Sequence, residues 1–214
     1  MKKILIIGGS GFVSTNLIKY LPENWEIFAT YNSNIIKSEK IQSFKINFLE
    51  TPEKIIPIIQ NIKPDYIIDT VAFPSVDFCE ENHSIADKLH IDATKIISKI
   101  SNKINSKLLF LSTDAVFEGE LNKKYFETDI PKPVNYYGFT KLKAEEIILS
   151  TSKNNVVLRT SVIYGTGTQS RFTNWILSYL REKRPVDPFV DQFNSPTLVD
   201  DLSQAIVKIL KNDI

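Results

Sequence analysis

The chain has 214 residues, of which 43% are hydrophobic and 24% charged, and this balance predicts a soluble globular protein with a sizeable core. A formal net charge of +1 gives no electrostatic basis for binding nucleic acid or an anionic membrane, and no apolar run approaches the ~18 residues of a membrane span. The single cysteine excludes a disulfide framework and favours a reducing compartment, which we expect to be the cytoplasm.

Short apolar runs alternate along the chain with segments of helical periodicity. The runs predict six buried strands, and the longer periodic segments between them predict four helices. The predicted strands are Lys3–Ile7, Glu26–Thr30, Phe44–Ile46, Tyr66–Asp69, Leu108–Ser112 and Val156–Thr160, and the predicted helices are Phe12–Leu21, Pro52–Ile62, Ser84–Ile104 and Tyr136–Ser150. This alternation predicts an α/β protein with a Rossmann-type, doubly wound, mostly parallel sheet.

The pattern becomes less regular after Arg159. A helix is predicted over Arg171–Lys183 and a final helix over Val199–Leu210, with short extended pieces between them. We therefore expect a dinucleotide-binding domain over residues 1–160 and a small, partial substrate-binding lobe over residues 161–214, whose last helix could pack back on the first domain.

A glycine-rich turn joins the first strand to the first helix. Its sequence, Gly8-Gly9-Ser10-Gly11-Phe12-Val13-Ser14, fits the dinucleotide-binding fingerprint, with Ser14 at the last small position. Glycine allows the backbone to approach a pyrophosphate, and the following helix begins with free amide donors. A plain strand-to-helix turn is the alternative. We expect Gly8, Ser10, Gly11, Phe12 and Val13 to bind a cofactor.

The end of the second strand bears on which nicotinamide dinucleotide is used. An acidic residue there would bind the adenosine ribose and favour NAD, but the chain has Asn32 and Ser33 instead. These two residues could border a 2′-phosphate, with Lys37 as the nearest cation. The sequence therefore favours NADP over NAD, while a loop that ignores the ribose and accepts either cofactor remains the alternative.

Tyr137 and Lys141 stand four residues apart on a predicted helix, so both side chains project from one face. A nearby cation favours the phenolate and lowers a tyrosine pKa from about 10. A tyrosine tuned in this way can protonate an alkoxide as it forms from a ketone. Aromatic and cationic residues at this spacing are also common on helix surfaces, so the pair alone is not specific.

Two further features support Tyr137 as a proton donor. Thr113 follows the fifth strand, at the edge of the sheet where ligands bind, and could hydrogen-bond a substrate carbonyl, although an ordinary turn after a strand is equally compatible. Tyr136 is the weaker candidate because the residue four positions after it is Thr140, not a lysine.

Taken together, these motifs resemble the extended short-chain dehydrogenase/reductase superfamily, and within it the dTDP-4-dehydrorhamnose reductase family. The resemblance extends over nearly the whole chain. It is carried by Gly8-Gly9-Ser10-Gly11, Pro64-Asp65-Tyr66-Ile67-Ile68, Val76-Asp77-Phe78-Cys79-Glu80, Ser112-Thr113-Asp114, Pro133-Val134-Asn135-Tyr136-Tyr137-Gly138 with Lys141, Arg159-Thr160-Ser161, and Asp191-Gln192 with Ser195-Pro196-Thr197.

The resemblance implies NADP(H) or NAD(H) as cofactor and hydride transfer to the 4-keto carbon of a nucleotide-linked deoxysugar. It makes Tyr137 the general acid, Thr113 the residue that polarises the carbonyl, and Lys141 a ligand of the nicotinamide ribose that tunes Tyr137. We also expect Asn47, Val71 and Ala72 to contact the cofactor. By the same resemblance a homodimer is possible.

The chain departs from the family pattern at four places. Ala115 and Val162 replace a usual tyrosine and tryptophan on the sugar side, His90 replaces an asparagine, and Asp69-Thr70 replaces asparagine-alanine at the end of the fourth strand. Family members also run on for roughly another 70 residues, a normal increment for a substrate lobe. The chain is therefore expected to be either a fragment or naturally short.

Two other functions remain open at this stage. The altered sugar side and the short chain are compatible with a cofactor-holding regulatory or scaffold subunit that has no turnover. Epimerisation or dehydration of a nucleotide sugar would keep the fold and recycle the cofactor. A metal site is not expected, because His83 and His90 lie about two helical turns apart and no third ligand accompanies them.

Overall fold

A computed structural model of the protein describes residues 1–36, 38–73, 75–167, 169–186 and 190–212. The chain divides into two compact units. The first comprises Met1–Ser10 and Glu23–Arg159, and the second comprises Gly11–Pro22 and Thr160–Ile214.

A six-stranded sheet organises the first unit. Its strands are β1 (Lys3–Ile7), β2 (Glu26–Tyr31), β3 (Ile41–Lys45), β4 (Tyr66–Asp69), β5 (Lys107–Thr113) and β6 (Val156–Thr160), in the spatial order β3-β2-β1-β4-β5-β6. Each of the pairs β1–β2, β1–β4, β2–β3 and β4–β5 is parallel. The order reverses direction at β1, so the loops after β1 and β4 flank the crevice where α/β sheets bind ligands. The predicted fold class is confirmed.

The helices of the first unit follow the strands in sequence. They are α2 (Ile55–Ile62, after a 3₁₀ turn at Pro52–Lys54), α3 (Val76–Glu81), α4 (His83–Asp87), α5 (Ala93–Lys103) and α6 (Tyr136–Thr151). A π-helical segment, Lys88–Asp92, joins α4 to α5, and a 3₁₀ turn, Asp114–Val116, follows β5.

The core of the first unit lies between the sheet and helices α2, α5 and α6. Leu5, Ile67 and Leu108 are fully buried on three neighbouring central strands, and Ile59 and Ile97 project onto them from two of the helices. Strands buried on both faces need continuous apolar runs, which explains the largely apolar sequences of β1 and β4. Burying one such side chain contributes about 1.5–3 kcal/mol, so this layer fixes the sheet that carries the site.

The second unit contains three helices and a small parallel pair of strands. These elements are α1 (Phe12–Leu17, continued by a 3₁₀ turn at Ile18–Tyr20), β7 (Ile163–Tyr164), α7 (Arg171–Arg181), β8 (Thr197–Leu198) and α8 (Val199–Asn212). Helix α8 packs against α1 and buries Leu202, Ile206 and Leu210, which recur at the helical spacing of four residues. The Tyr20 hydroxyl donates to Asp200 Oδ1 at 2.7 Å across the same helix pair.

Four of the predicted elements differ from the structure by more than two residues or in the type of helix. The predicted helix Phe12–Leu21 is α-helical only to Leu17 and continues as a 3₁₀ turn. The third strand was predicted at Phe44–Ile46, which is wrong: β3 is Ile41–Lys45, an edge strand whose Gln42 and Lys45 are exposed. The predicted helix Ser84–Ile104 is interrupted by the π-helical segment. The predicted start of α2 is a 3₁₀ turn, and the α-helix begins at Ile55. Pro57 therefore lies in the first turn of the helix, where backbone N–H groups have no partner within the helix, so the N–H that proline lacks is not needed there. None of the helices in the described part of the chain has the length and apolar composition needed to cross a membrane.

Candidate active site

Helix α6 brings Tyr137 against the turn that follows β5. Asn135 caps the helix, accepting a hydrogen bond at Oδ1 from the backbone N–H of Gly138 at 2.8 Å. A Cβ added at Gly138 would lie 2.1 Å from the carbonyl oxygen of Ala115, so only glycine allows this approach of helix to turn. The close contact places the first turn of α6 beside Thr113.

Thr113 lies next to the first turn of α6, and its hydroxyl lowers the pKa of the Tyr137 phenol. Thr113 is buried at the end of β5, where its Oγ1 accepts from the backbone N–H of Ala115 at 3.1 Å and donates to Asp114 Oδ1 at 3.3 Å. These two bonds hold the hydroxyl on the side of the 3₁₀ turn. The structure therefore brings together two of the three side chains predicted to be catalytic.

The electrostatics of Tyr137 differ from the expectation that Lys141 lowers its pKa. Burial, with smaller contributions from Cys79 and Asp114, raises the pKa of Tyr137 to about 12, against the opposing hydrogen bond from Thr113. The expectation of a lowered pKa is therefore wrong for this structure. Desolvation penalises the phenolate more than the surrounding groups stabilise it, so the phenol keeps its proton across the neutral range.

Lys141 is buried, and its amine contacts β5. Its Nζ donates to the carbonyl oxygen of Leu111 at 2.7 Å and lies 3.8 Å from the ring centroid of Phe110. Burial lowers the pKa of Lys141 to about 8, opposed by the charges of Asp69 and Glu145. The amine of Lys141 is thus bonded to the backbone of β5, and its role toward Tyr137 stays a prediction.

Asp69, one of the departures from the family pattern, is fully enclosed at the end of β4. Its Oδ1 accepts from the backbone N–H of Val71 at 3.0 Å. Burial raises the pKa of Asp69 to about 6, while the bond from Val71 and the charge of Lys141 lower it. The charge that this residue was expected to bring near the cofactor is therefore partly offset by a buried lysine.

An ion pair between the buried Glu145 and the half-buried Arg159 joins α6 to β6, and Ser112 of β5 bonds the same glutamate. Arg159 Nη2 lies 2.6 Å from Glu145 Oε2, and its Nε lies 3.1 Å from Glu145 Oε1. Sequence reasoning assigned no role to Glu145, because a single glutamate in a helical pattern carries no signal of burial. The pair holds α6 in register with the strand end that carries Thr113.

The glycine turn after β1 has the conformation that a dinucleotide-binding loop needs. Gly8 has a φ of +84°, which favours glycine, and its N–H donates to Thr30 Oγ1 at 3.1 Å. The N–H of Gly9 donates to the carbonyl of Thr30 at 2.8 Å, and a Cβ there would lie 2.6 Å from Ala29 Cβ. None of the side chains that the structure describes caps α1. A glycine turn of this kind is typical of loops that approach a pyrophosphate.

The other predicted cofactor residues follow strands of the same sheet. A Cβ on Gly8 would lie 3.0 Å from the side chain of Val71, so the loops after β1 and β4 are in contact. Asn32 and Ser33 are exposed directly after β2. Ala72 is half-buried beside Val71.

Three other cofactor predictions fall elsewhere in the chain. Asn47 uses its Oδ1 to accept from the N–H of Leu49 at 3.0 Å, which shapes the loop after β3. Phe12 and Val13 begin α1 in the second unit, and the chain passes from one unit to the other between Ser10 and Gly11. Lys37 lies outside the described residues.

Tyr136 has a structural role beside the site. Its hydroxyl donates to Asp87 Oδ1 at 2.9 Å, and its ring stacks on His83 with centroids 3.5 Å apart. The phenol of Tyr136 is thus hydrogen-bonded to α4, whereas Tyr137 is the tyrosine whose hydroxyl lies beside Thr113. Among the described residues, no group of three or more acidic, histidine or cysteine side chains could hold a metal ion.

Comparison with known proteins identifies a family that has this architecture. The family model of the RmlD substrate binding domain matches residues 1–214. A dTDP-4-dehydrorhamnose reductase of Aggregatibacter actinomycetemcomitans is 29% identical over 216 residues, an alignment that covers 100% of this chain and 69% of that protein.

Two solved structures share the fold. The crystal structure of a hypothetical dTDP-4-dehydrorhamnose reductase from Sulfolobus tokodaii matches with a TM-score of 0.88 and 32% identity, covering 100% of this chain and 74% of that one. The dTDP-4-dehydrorhamnose reductase of Bacillus anthracis, solved in complex with NADP, matches with a TM-score of 0.86 and 25% identity, covering 100% of this chain and 73% of that one. The chain thus spans about seven tenths of the length of these three relatives.

Proposed function

The chain belongs to the RmlD substrate binding domain family, and on that premise we propose that it uses NAD(P)H to reduce the 4-keto group of a nucleotide-linked 6-deoxysugar. The observation that carries this proposal is the placement of the Tyr137 phenol beside the Thr113 hydroxyl at the carboxyl edge of the sheet. Reduction of a ketone needs a proton donor at the carbonyl oxygen, and a phenol whose pKa is raised to about 12 holds that proton at neutral pH.

The two hydroxyl groups have separate roles in the proposed reaction. The Tyr137 phenol donates its proton to the oxygen that becomes the alcohol, and the Thr113 hydroxyl donates a hydrogen bond to the same oxygen as charge develops there. When bound, the nicotinamide supplies the hydride. Lys141 anchors the carbonyl of Leu111, two residues before Thr113, and so fixes the end of β5.

The cofactor-binding residues that we propose are Gly8, Ser10, Gly11, Phe12, Val13, Asn32, Ser33, Asn47, Val71, Ala72, Tyr137 and Lys141. The absence of an acidic residue directly after β2 favours NADPH, and the relative from Bacillus anthracis was solved with NADP.

The sugar proposed as substrate is dTDP-4-dehydrorhamnose or a close relative of it. The names of the three relatives support the dTDP-linked keto sugar. Ala115 and Val162 remove two bulky side chains that the family usually places on the sugar side, and this widens the range of sugars to be tested. We further propose that the protein acts in the cytoplasm and can form a homodimer.

The test is turnover of a defined substrate. Purified protein mixed with NADPH and dTDP-4-dehydrorhamnose should consume NADPH, followed by absorbance, and should form the reduced sugar in equal amount. Product without net loss of NADPH would instead indicate an epimerase or a dehydratase, which recycle the cofactor. Tight NADPH binding with no product from any 4-keto sugar would contradict the proposal and favour a regulatory subunit.

A further inference from the structure

We propose that His90 is a positioning residue that locks the loop after β4 and the first turn of α6 into one arrangement around Tyr137. This inference rests on the proposed function, because it assigns His90 to the reduction carried out by Tyr137. His90 lies within the π-helical segment, a local widening of the helix that often accompanies functional sites.

The two ring nitrogens of His90 have opposite hydrogen-bonding roles: one accepts and the other donates. The backbone N–H of Phe73 donates to Nε2 at 3.0 Å, so Nε2 must present its lone pair. The proton of the neutral ring therefore sits on Nδ1, which donates to Thr140 Oγ1 at 2.8 Å. Thr140 in turn donates to the carbonyl oxygen of Tyr137 at 2.9 Å. Every polar atom of this relay has a partner, and no second tautomer would satisfy it.

The surroundings of the ring keep it neutral and immobile. His90 and Thr140 are both buried, and burial, aided by the charge of Lys141, lowers the pKa of His90 to about 3. The ring also packs edge-on against Tyr137 with centroids 5.6 Å apart, and lies 5.6 Å from the ring of Phe73. A neutral imidazole clamped by two bonds and two aromatic rings has one orientation available to it.

The two elements joined by His90 are the ones that the reaction must align. One is the loop after β4, whose Val71 and Ala72 we assign to the cofactor. The other is the helical turn that carries Tyr137. Misplacing a catalytic group by about 1 Å can cost on the order of a hundredfold in rate. The imidazole bonds the backbone of the loop at Phe73 and the hydroxyl of Thr140 on α6, and so sets the separation of the two elements, which the shorter asparagine usual in the family would set differently.

Three variants separate positioning from simple stabilisation. His90→Phe keeps an aromatic ring in the cavity but removes both bonds, and Thr140→Val keeps the side-chain volume but removes the acceptor of Nδ1–H. Thr140→Ser restores the hydroxyl. We expect kcat with NADPH and the keto sugar to fall by about ten- to a hundredfold in His90→Phe and in Thr140→Val, and to remain within about threefold of wild type in Thr140→Ser. The double variant should lose no more than either single one.

The matched control is Ser101→Ala, which removes another buried hydroxyl, one that donates to the carbonyl of Ser98 on α5. It should lower Tm while leaving kcat unchanged. A lowered Tm in His90→Phe and Thr140→Val with kcat within about threefold of wild type would show that the relay only stabilises the fold, and would overturn the proposal.

A second measurement does not depend on turnover. Nitrogen-15 NMR of the imidazole in wild-type protein at pH 7 should show a neutral ring protonated at Nδ1. A ring protonated at Nε2, or a charged ring, would overturn the inference. If the wild type reduces no keto sugar, the proposed function fails by that result, and the NMR spectrum still decides whether His90 joins Phe73 to Thr140.

Discussion

At the scale of single residues, burial decides which groups carry protons at neutral pH. Tyr137 is a protonated acid with a pKa raised to about 12, while its neighbour Lys141 has a pKa lowered to about 8. A phenol in this state carries the proton that the reduction of a ketone requires. Burial of Tyr137 therefore sets the protonation state of the phenol and leaves the equilibrium of the reaction unchanged.

Asp69 gives a prediction for stability as a function of pH. Its pKa is about 6 in the folded protein, because of burial, and about 4 in an unfolded chain. Between pH 4 and pH 6 the folded state keeps a proton that the unfolded state has released, so the free energy of unfolding falls as pH rises. Asp69→Asn cannot ionise and should be more stable than wild type at pH 7, by about 1–3 kcal/mol, with a smaller difference at pH 4.

Urea unfolding at the two pH values measures this difference. An exposed carboxylate, Asp92, provides the control: it pairs with Lys95 at 3.0 Å, and Asp92→Asn should change the free energy of unfolding by less than about 1 kcal/mol at either pH. Equal differences between wild type and Asp69→Asn at pH 4 and pH 7 would show that the carboxyl does not titrate in this window.

The residues of the site were easier to predict than their electrostatics. The four-residue spacing predicts that Tyr137 and Lys141 lie on one face of α6. It does not predict where the Lys141 amine ends or which groups bury the Tyr137 phenol. The Lys141 amine bonds the carbonyl of Leu111, which belongs to a strand and lies 30 residues earlier in the chain. A contact between residues so far apart in the chain cannot be predicted from local spacing. His90 could be identified from the sequence only as a departure from the family, because its partners Phe73 and Thr140 are distant in the chain.

At the scale of elements, the bounds of a strand could be predicted from the sequence where the strand is buried on both faces. Strands β1 and β4 have the predicted bounds, since a central strand has an unbroken apolar sequence. The edge strand β6 also has its predicted bounds. In the other edge strand, β3, the exposed residues Gln42 and Lys45 follow no regular alternation over its five positions, so its bounds could not be predicted. The π-helical segment was missed because one widened turn barely disturbs a period of 3.6 residues.

The contact between α6 and the turn after β5 yields a prediction about Gly138. Helix propensity alone would make Gly138→Ala stabilising by about 1 kcal/mol. The added Cβ would instead lie 2.1 Å from the carbonyl oxygen of Ala115, so the helix must move away from Thr113. We expect the variant to lose about 1–3 kcal/mol of stability and at least about tenfold in kcat.

Thermal unfolding and NADPH consumption measure the two effects of this variant. Ser150→Ala, at the exposed end of the same helix, should leave kcat unchanged. Full activity in Gly138→Ala would mean that the approach of α6 to the turn is not required for the reaction.

At the scale of the whole molecule, the alternation of strands and helices was enough to predict a doubly wound sheet, and the structure and the family match agree with that prediction. The assignment of Gly11–Pro22 to the second unit could not be predicted, because it depends on α1 packing against α8 near the other end of the chain. Sequence periodicity shows which face of a helix is apolar, and does not show which distant helix covers it.

Cofactor binding should be visible in the stability of the whole protein. A ligand at a hundred times its Kd stabilises the folded state by about 2.7 kcal/mol, which corresponds to a rise in Tm of at least about 5 °C for a chain of this size. The Tm of Gly9→Ala should not rise when cofactor is added, because the new Cβ would lie 2.6 Å from Ala29 Cβ and would displace the turn. Thermal unfolding with NADPH and NADH in parallel measures both the binding and the preference. No rise with either dinucleotide would contradict the cofactor assignment.

The role of the Tyr137 phenol is tested most directly by comparing two adjacent tyrosines. Initial rates of NADPH oxidation with dTDP-4-dehydrorhamnose should be measured for wild type, Tyr137→Phe and Tyr136→Phe. Tyr137→Phe should lose about 10²- to 10⁴-fold in kcat with little change in Tm, whereas Tyr136→Phe loses only its bond to Asp87 and should keep most of its activity. Wild-type rates in Tyr137→Phe would contradict the assignment of the proton donor, and with it the account of the site.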